Sequence, residues 1–182
     1  QLHASADHWL ASGVLFYWKR VLKRVDVTSR SMAAVVEHGS CFAGVLAELL
    51  FAVDRSYMME DEFEGDNRPI ATITLSPSNL GMMPMANGLS RLATRFLGEP
   101  ETLQAVEATA GTPLDADDAR THGLVTFAYD DVDWEDELRI FIEERASFSP
   151  DAMTGMEANL RFAGPETMET RIFGRLTAWQ NW

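Results

Sequence analysis

A chain of 182 residues with 46% hydrophobic side chains can bury one sizeable core, which makes it globular rather than disordered and a single domain the default. Fifteen Lys and Arg against 28 Asp and Glu give a formal net charge of -13, which repels a phosphate backbone and excludes general binding to nucleic acid or to an anionic membrane surface. Cys41 is the one cysteine, so an internal disulfide and a CxxC metal or redox site are excluded, and a reducing cytoplasm is the expected location.

Residues 8–25, "HWLASGVLFYWKRVLKRV", predict an amphipathic helix, with Leu10, Val14, Tyr17, Val21 and Val25 on the inner stripe and Lys19, Arg20, Lys23 and Arg24 opposite. The four bases form a solvated face or receive a ligand phosphate. "SMAAVVEHG" (31–39) reads as a short buried strand ending at Gly39, "GSCFAGVLAELLFAVD" (39–54) as a loop and a buried helix, and "DRSYMM" as another short strand. Strand, helix, strand is the order of a largely parallel sheet. "EDEFEGDN" (60–67) is an acidic solvent loop without the alternating ligands of a calcium-binding loop.

"IATITLS" (70–76) alternates as a half-exposed strand does and runs into "PSNLGMMPMANG", a Pro-, Gly- and Asn-rich loop of the kind that lines sites. A helix is expected from about Leu89 to Leu97, then one over "EPETLQAVEATAG" stopped by Gly111, then an Asp-rich helix start closed by Gly123 ahead of the strand "LVTFAYD". The remainder is helical, starting at "WEDELRIFIEERA", again at Ser149-Pro150 and again at Gly164-Pro165-Glu166. Met168, Ile172, Phe173, Leu176 and Trp179 extend an apolar stripe to the end. The expected organisation is one partial domain over 1–182, with an α/β core part at 1–135 and a helical part at 136–182. A start at Gln1 rather than Met, and an end within helical periodicity, lead us to expect a piece of a longer chain. No run approaches the roughly 18 apolar residues of a membrane span, and the first residues show no charged-then-apolar pattern, so neither membrane insertion nor export is expected.

Glu48 stands in a run, Val45 to Val53, whose other members are all Val, Leu, Ala or Phe. A helix apolar all round is buried, and desolvation raises the pKa of a buried carboxyl toward the range a general acid or base needs. The alternative is a carboxylate tied into a structural network. In "HGSCFAG" the small residues Gly39, Ser40, Ala43 and Gly44 precede that helix, where unpaired backbone N–H groups can hold a developing oxyanion or the turn can serve tight packing alone. Glu48 lies one turn on, on the side of Gly44. Ser40, Cys41 and His38 are too close in sequence to face one another as a nucleophile and base, and no Gly-x-Ser-x-Gly elbow occurs, so Cys41 is expected in the core or lining a pocket. His3, His8 and His122 have no metal-ligand spacing, so no metal is expected. Met82, Met83 and Met85 shape a plastic apolar pocket or fill the core.

The ordered segments "MAAVVEHGSCFAGVLAELLFAVDRSYM", "LGMMPMANGLSRLATRFLG" and "PLDADDARTHGLV" resemble the crotonase (enoyl-CoA hydratase/isomerase) superfamily along the whole chain. "RSMAAVVEHGSCFAGVLAELLFAVDRSYM" and "GMEANLRFAGPETMETRIFGRLTAWQNW" resemble its branch of lyases that open the ring of an aromatic CoA thioester. The resemblance implies an α/β fold of crotonase-like ββα units, with a partial, mostly parallel sheet and a helical C-terminal part. It implies Glu48 as a catalytic carboxylate and Gly44 or Val45 as an oxyanion donor. The family's second glutamate falls where this chain reads Ser76, Pro77, Ser78, Asn79, so a hydroxyl or amide would orient water or substrate there. Ser40, Cys41, Ser76, Ser78, Asn79, Met83 and Pro84 are the expected substrate-binding residues. The implied partners are an acyl-CoA substrate, the rest of a parent chain and further copies in a homo-oligomer. The implied cofactor is none beyond the coenzyme A of the substrate. The alternatives are a non-catalytic crotonase-like repeat serving as scaffold, a generic enoyl-CoA hydratase/isomerase, or a plain acyl-CoA-binding module.

Overall fold

The computed structural model describes residues 3–28, 30–60, 68–160 and 166–176. Two small sheets and a layer of short helices share its main core. The first helix, α1 (Trp9–Asp26), opens on His8, whose ring accepts a hydrogen bond from the Leu10 amide. The strand β1 (Ala33–Val36), the two-residue β2 (Phe42–Ala43), a 3₁₀ turn over Gly44–Leu46, helix α2 (Ala47–Ala52) and β3 (Arg55–Met59) follow in order. Then come β4 (Ile73–Thr74), a 3₁₀ turn over Pro77–Asn79, α3 (Arg91–Arg95), α4 (Pro100–Glu107), β5 (Pro113–Leu114), α5 (Ala116–Thr121) and β6 (Phe127–Tyr129). The chain continues through α6 (Trp134–Ser147), α7 (Pro150–Leu160) and α8 (Met168–Arg171), which passes into a π-helical turn at Ile172–Leu176.

β1 and β3 pair in parallel, Val35 opposite Tyr57, and β3 pairs in parallel with β6, Met58 opposite Ala128. The expected strand–helix–strand crossover is therefore present. The expected loop holds an additional strand, because β2 is split off into a second sheet, parallel to β4, with β5 antiparallel on the far edge. β3 is covered on both faces: Met58 enters the main core with Leu50, Ile73 and Leu124, while Tyr57 and Met59 pack under Trp134 and Phe141 of α6. A central parallel strand has no solvent face, which is why "SYMM" shows no polar alternation.

Two expectations about helix faces are corrected. On α1 the buried positions are Ala11, Leu15, Leu22 and Asp26, whereas Leu10 and Tyr17 are more than half exposed. Leu15 and Leu22 pack with Trp18 against Val45 and Leu49 at α2, and with Met83. The two stripes are neighbouring faces of one cylinder, and contact with α2 selected the one holding Leu22. At the C-terminal end, Met168 and Phe173 are exposed, so the anticipated stripe covers no core among the described residues. Trp179, the Gly164-Pro165 start and most of the acidic 60–67 loop lie outside the described residues, as does the side chain of Leu176. No described helix is long and apolar enough to cross a membrane.

Candidate functional site

Glu48 is buried, its side chain 1% exposed, as its apolar flanks require. The α2 helix presents it toward three neighbours that arrive from separate parts of the sequence. Arg91, the first residue of α3, donates from Nη1 to Glu48 Oε2 at 2.6 Å. The Asn79 amide donates from Nδ2 to Glu48 Oε1 at 2.7 Å and to the Gly44 carbonyl at 2.9 Å. Asn79 is itself held by its turn, since its Oδ1 accepts from the Ser76 amide at 2.9 Å while Ser76 Oγ accepts from the Ser78 amide. One side-chain amide thus ties the buried acid to the glycine turn that precedes it.

The arginine has a second carboxylate. Arg91 Nε and Nη2 donate to Asp26 Oδ1 and Oδ2 at 2.8 and 2.7 Å, a bidentate fork, and Nη1 also donates to the Met83 carbonyl at 2.9 Å. Asp26 closes α1, and all three charged side chains are at most 1% exposed. Burial pushes the Glu48 carboxyl above the ordinary carboxylate range. The hydrogen bonds from Asn79 and Arg91 and the positive charge of Arg91 pull the other way, and the negative charge of Asp26 adds a smaller upward push. A carboxyl that can carry a proton inside the protein can give or take one during a reaction.

Gly44 adopts φ +56, a left-handed conformation that a Cβ disfavours, and a Cβ built there would stand 3.6 Å from Ser76 Oγ. Gly44 and Val45 open the 3₁₀ turn, where N–H groups have no partner within the helix. The structure therefore brings together Gly44, Glu48, Ser76 and Asn79, with Ser78 buried alongside. The other expected residues stand outside this hydrogen-bonded group. Val45 packs between α1 and α2, and Met83 is a core residue that reaches the cluster through its carbonyl only; Pro84 beside it is half-buried. Ser40 caps the turn after β1 by accepting from the Glu37 amide, and Cys41 is exposed, which overturns its expected place in the core. His38 is buried, with Nδ1 3.0 Å from the Pro69 carbonyl.

Sequence reasoning missed Asp26 and Arg91. A usable signal existed, because Asp26 continues the Ala11–Leu15–Leu22 face by one further turn, and a carboxylate on a buried stripe needs a cation. Two clefts lie elsewhere, about 490 Å³ beside Glu37 and Trp134 and about 420 Å³ between Arg30 and Arg145, and Glu48 lines neither. Among the described residues no group of three or more His, Cys, Asp or Glu is placed to hold a metal ion.

Comparison with known proteins gives this arrangement its context. No family model matches the chain. Over 181 residues, all of this chain, it is 51% identical to a benzoyl-CoA-dihydrodiol lyase of Aromatoleum evansii, of which it spans 32%. An enoyl-CoA hydratase of Bacillus anthracis superposes with a TM-score of 0.68 at 19% identity, over 95% of this chain and 62% of the other. An enoyl-CoA hydratase/isomerase of Cupriavidus metallidurans gives 0.67 at 20% identity, over 99% of this chain and 64% of the other. The chain thus spans about a third of the curated relative it matches. In fold the chain resembles part of these enoyl-CoA hydratase/isomerase structures, and in sequence it is similar along its whole length to one third of a benzoyl-CoA-dihydrodiol lyase.

Proposed function

We propose that this chain is part of a lyase that opens the ring of a dihydrodiol or epoxide of benzoyl-CoA. The observation that carries the reading is the buried Glu48 carboxyl joined through the Asn79 amide to the Gly44 turn. The 51% identical relative supplies the substrate class. In this reading the Gly44 and Val45 amides receive negative charge from the thioester oxygen, and Glu48 moves a proton as the ring opens. Asn79, standing where the family's second glutamate falls, orients Glu48 rather than acting as a second acid. Ser76 and Ser78 shape the wall beside the turn. Coenzyme A comes with the substrate, and no further cofactor is called for. The chain works as one partial domain with the rest of a longer protein, as a homo-oligomer, in the cytoplasm, in the degradation of aromatic acids.

Replacing Glu48 with Gln in a protein carrying the full length of the relative tests this. Gln has the shape of the protonated acid and cannot transfer its proton. Turnover is expected to fall by about 10²–10⁴-fold, with benzoyl-CoA binding and folding retained. Normal turnover ends the enzymatic reading. One observation favours a second reading, a non-catalytic crotonase-like repeat that scaffolds a catalytic region: both Glu48 oxygens are already engaged by Arg91 and Asn79. That reading predicts normal turnover of Glu48→Gln.

A further inference from the structure

We propose that Asp26 is the positioning residue that lets Glu48 hold a proton at neutral pH, by occupying the charge of Arg91 through a bidentate pair. The proposal rests on the reading of Glu48 as the group that moves protons, and its test is independent of turnover. It begins with a charge count. One guanidinium faces two carboxylates, and all three side chains are at most 1% exposed. With both acids ionised the cluster carries a net negative charge at a site shut off from bulk solvent, which is costly, and one proton removes it.

Geometry decides which acid takes that proton. Asp26 receives two parallel charge-assisted bonds, from Nε and Nη2, the stronger and more directional pairing, and stays ionised. Glu48 receives one N–H from Arg91, which Nη1 shares with the Met83 carbonyl, and one from the neutral Asn79 amide. Each Glu48 oxygen accepts one hydrogen bond there, so lone pairs are left to carry a proton.

The elements packed most closely on α2 are α1, α3, β2 and the 44–46 turn, and the 77–79 turn reaches Glu48 through Asn79. α1 contributes Asp26, α3 contributes Arg91, the 77–79 turn contributes uncharged Asn79, the 44–46 turn contributes the Gly44 carbonyl, and β2, being Phe42 and Ala43, contributes no titratable group. Burial is the largest push toward the protonated form of Glu48, and the pairing of Arg91 with Asp26 sets how much positive charge opposes it. Removing the charge of Asp26 directs the whole guanidinium charge at Glu48 and favours its ionised form. A purely architectural role for Asp26 makes no such prediction.

Infrared difference spectra of the wild type against Glu48→Gln isolate the carbonyl stretch of a protonated Glu48. The band is expected at neutral pH in the wild type. In Asp26→Asn its titration midpoint is expected to fall by about 1–3 pH units, the size of an arginine's effect on a neighbouring carboxylate. Asp26→Glu, which retains the charge, is expected to keep the midpoint near that of the wild type. An unchanged midpoint in Asp26→Asn overturns the proposal. So does absence of the band from the wild type at neutral pH, whether or not Asp26→Asn folds. Loss of turnover in Glu48→Gln without the band would leave the enzymatic reading standing and remove the role of Asp26.

Discussion

Removing Arg91 with a side chain of similar length, Arg91→Met, is the most demanding perturbation of this fold. Arg91 is the counter-charge of two carboxylates that are at most 1% exposed, and it makes four hydrogen bonds of 2.6 to 2.9 Å, one of them to a backbone carbonyl. Its loss leaves the Asp26 carboxylate buried without a cation and Glu48 Oε2 without its donor, for which roughly 3–5 kcal/mol of destabilisation is expected. For a domain of this size each kcal/mol lowers the melting temperature by about 2–4 °C, so the fall should lie between about 6 and 20 °C. The loss should also depend on pH. Without the guanidinium both acids have folded pKa values raised above their unfolded ones, so their contribution is favourable below the unfolded carboxylate range and disappears as pH rises through the folded values. The variant should therefore be least impaired in mild acid and most impaired at neutral pH. Urea unfolding of wild type and variant across that range measures both effects. A loss below about 1 kcal/mol, or one that does not change with pH, would refute the view that the triad is a buried charge cluster.

Asn79→Ala leaves Glu48 Oε1 and the Ser76 amide without their partner, while the Gly44 carbonyl keeps the Ala47 N–H, and an unfolding loss of about 1–3 kcal/mol is expected by chemical denaturation. Gly44→Ala meets Ser76 Oγ at an ordinary contact distance of 3.6 Å, so its cost is that of the left-handed backbone, about 1–2 kcal/mol, read as a shifted urea midpoint with an unchanged slope. Leu22→Ala should cost about 2–5 kcal/mol, whereas Tyr17→Ala, on the exposed face of the same helix, should stay within about 0.5 kcal/mol; equal effects would contradict the assigned face of α1.

Much of the fold is written locally. A run of Val, Leu, Ala and Phe around Glu48 admits only a buried helix, Tyr57–Met59 only a covered strand, and Gly111 and Gly123 fall at left-handed stops, all readable from neighbouring residues, whereas β1, expected to be buried, leaves Val35 exposed. The face of α1 was not legible in the same way, because two overlapping stripes on one helix are equally apolar until α2 and Met83 lie against one of them. The 39–54 segment hid a two-residue strand for a similar reason. Two residues carry no periodicity, and β2 exists because β4 supplies its hydrogen bonds.

The candidate site divides along the same line. That Glu48 is buried, follows a glycine turn and lacks a second carboxylate near residues 76–79 was determined by the order of residues alone. That its charge is answered by Arg91, 43 positions away, and that Arg91 is shared with Asp26, 65 positions from it, was decided only by the packing of α1, α2 and α3. Hydrophobic patterning reports which side of an element turns inward. Electrostatic pairing in a core depends on which distant elements meet, and only the folded chain contains that information.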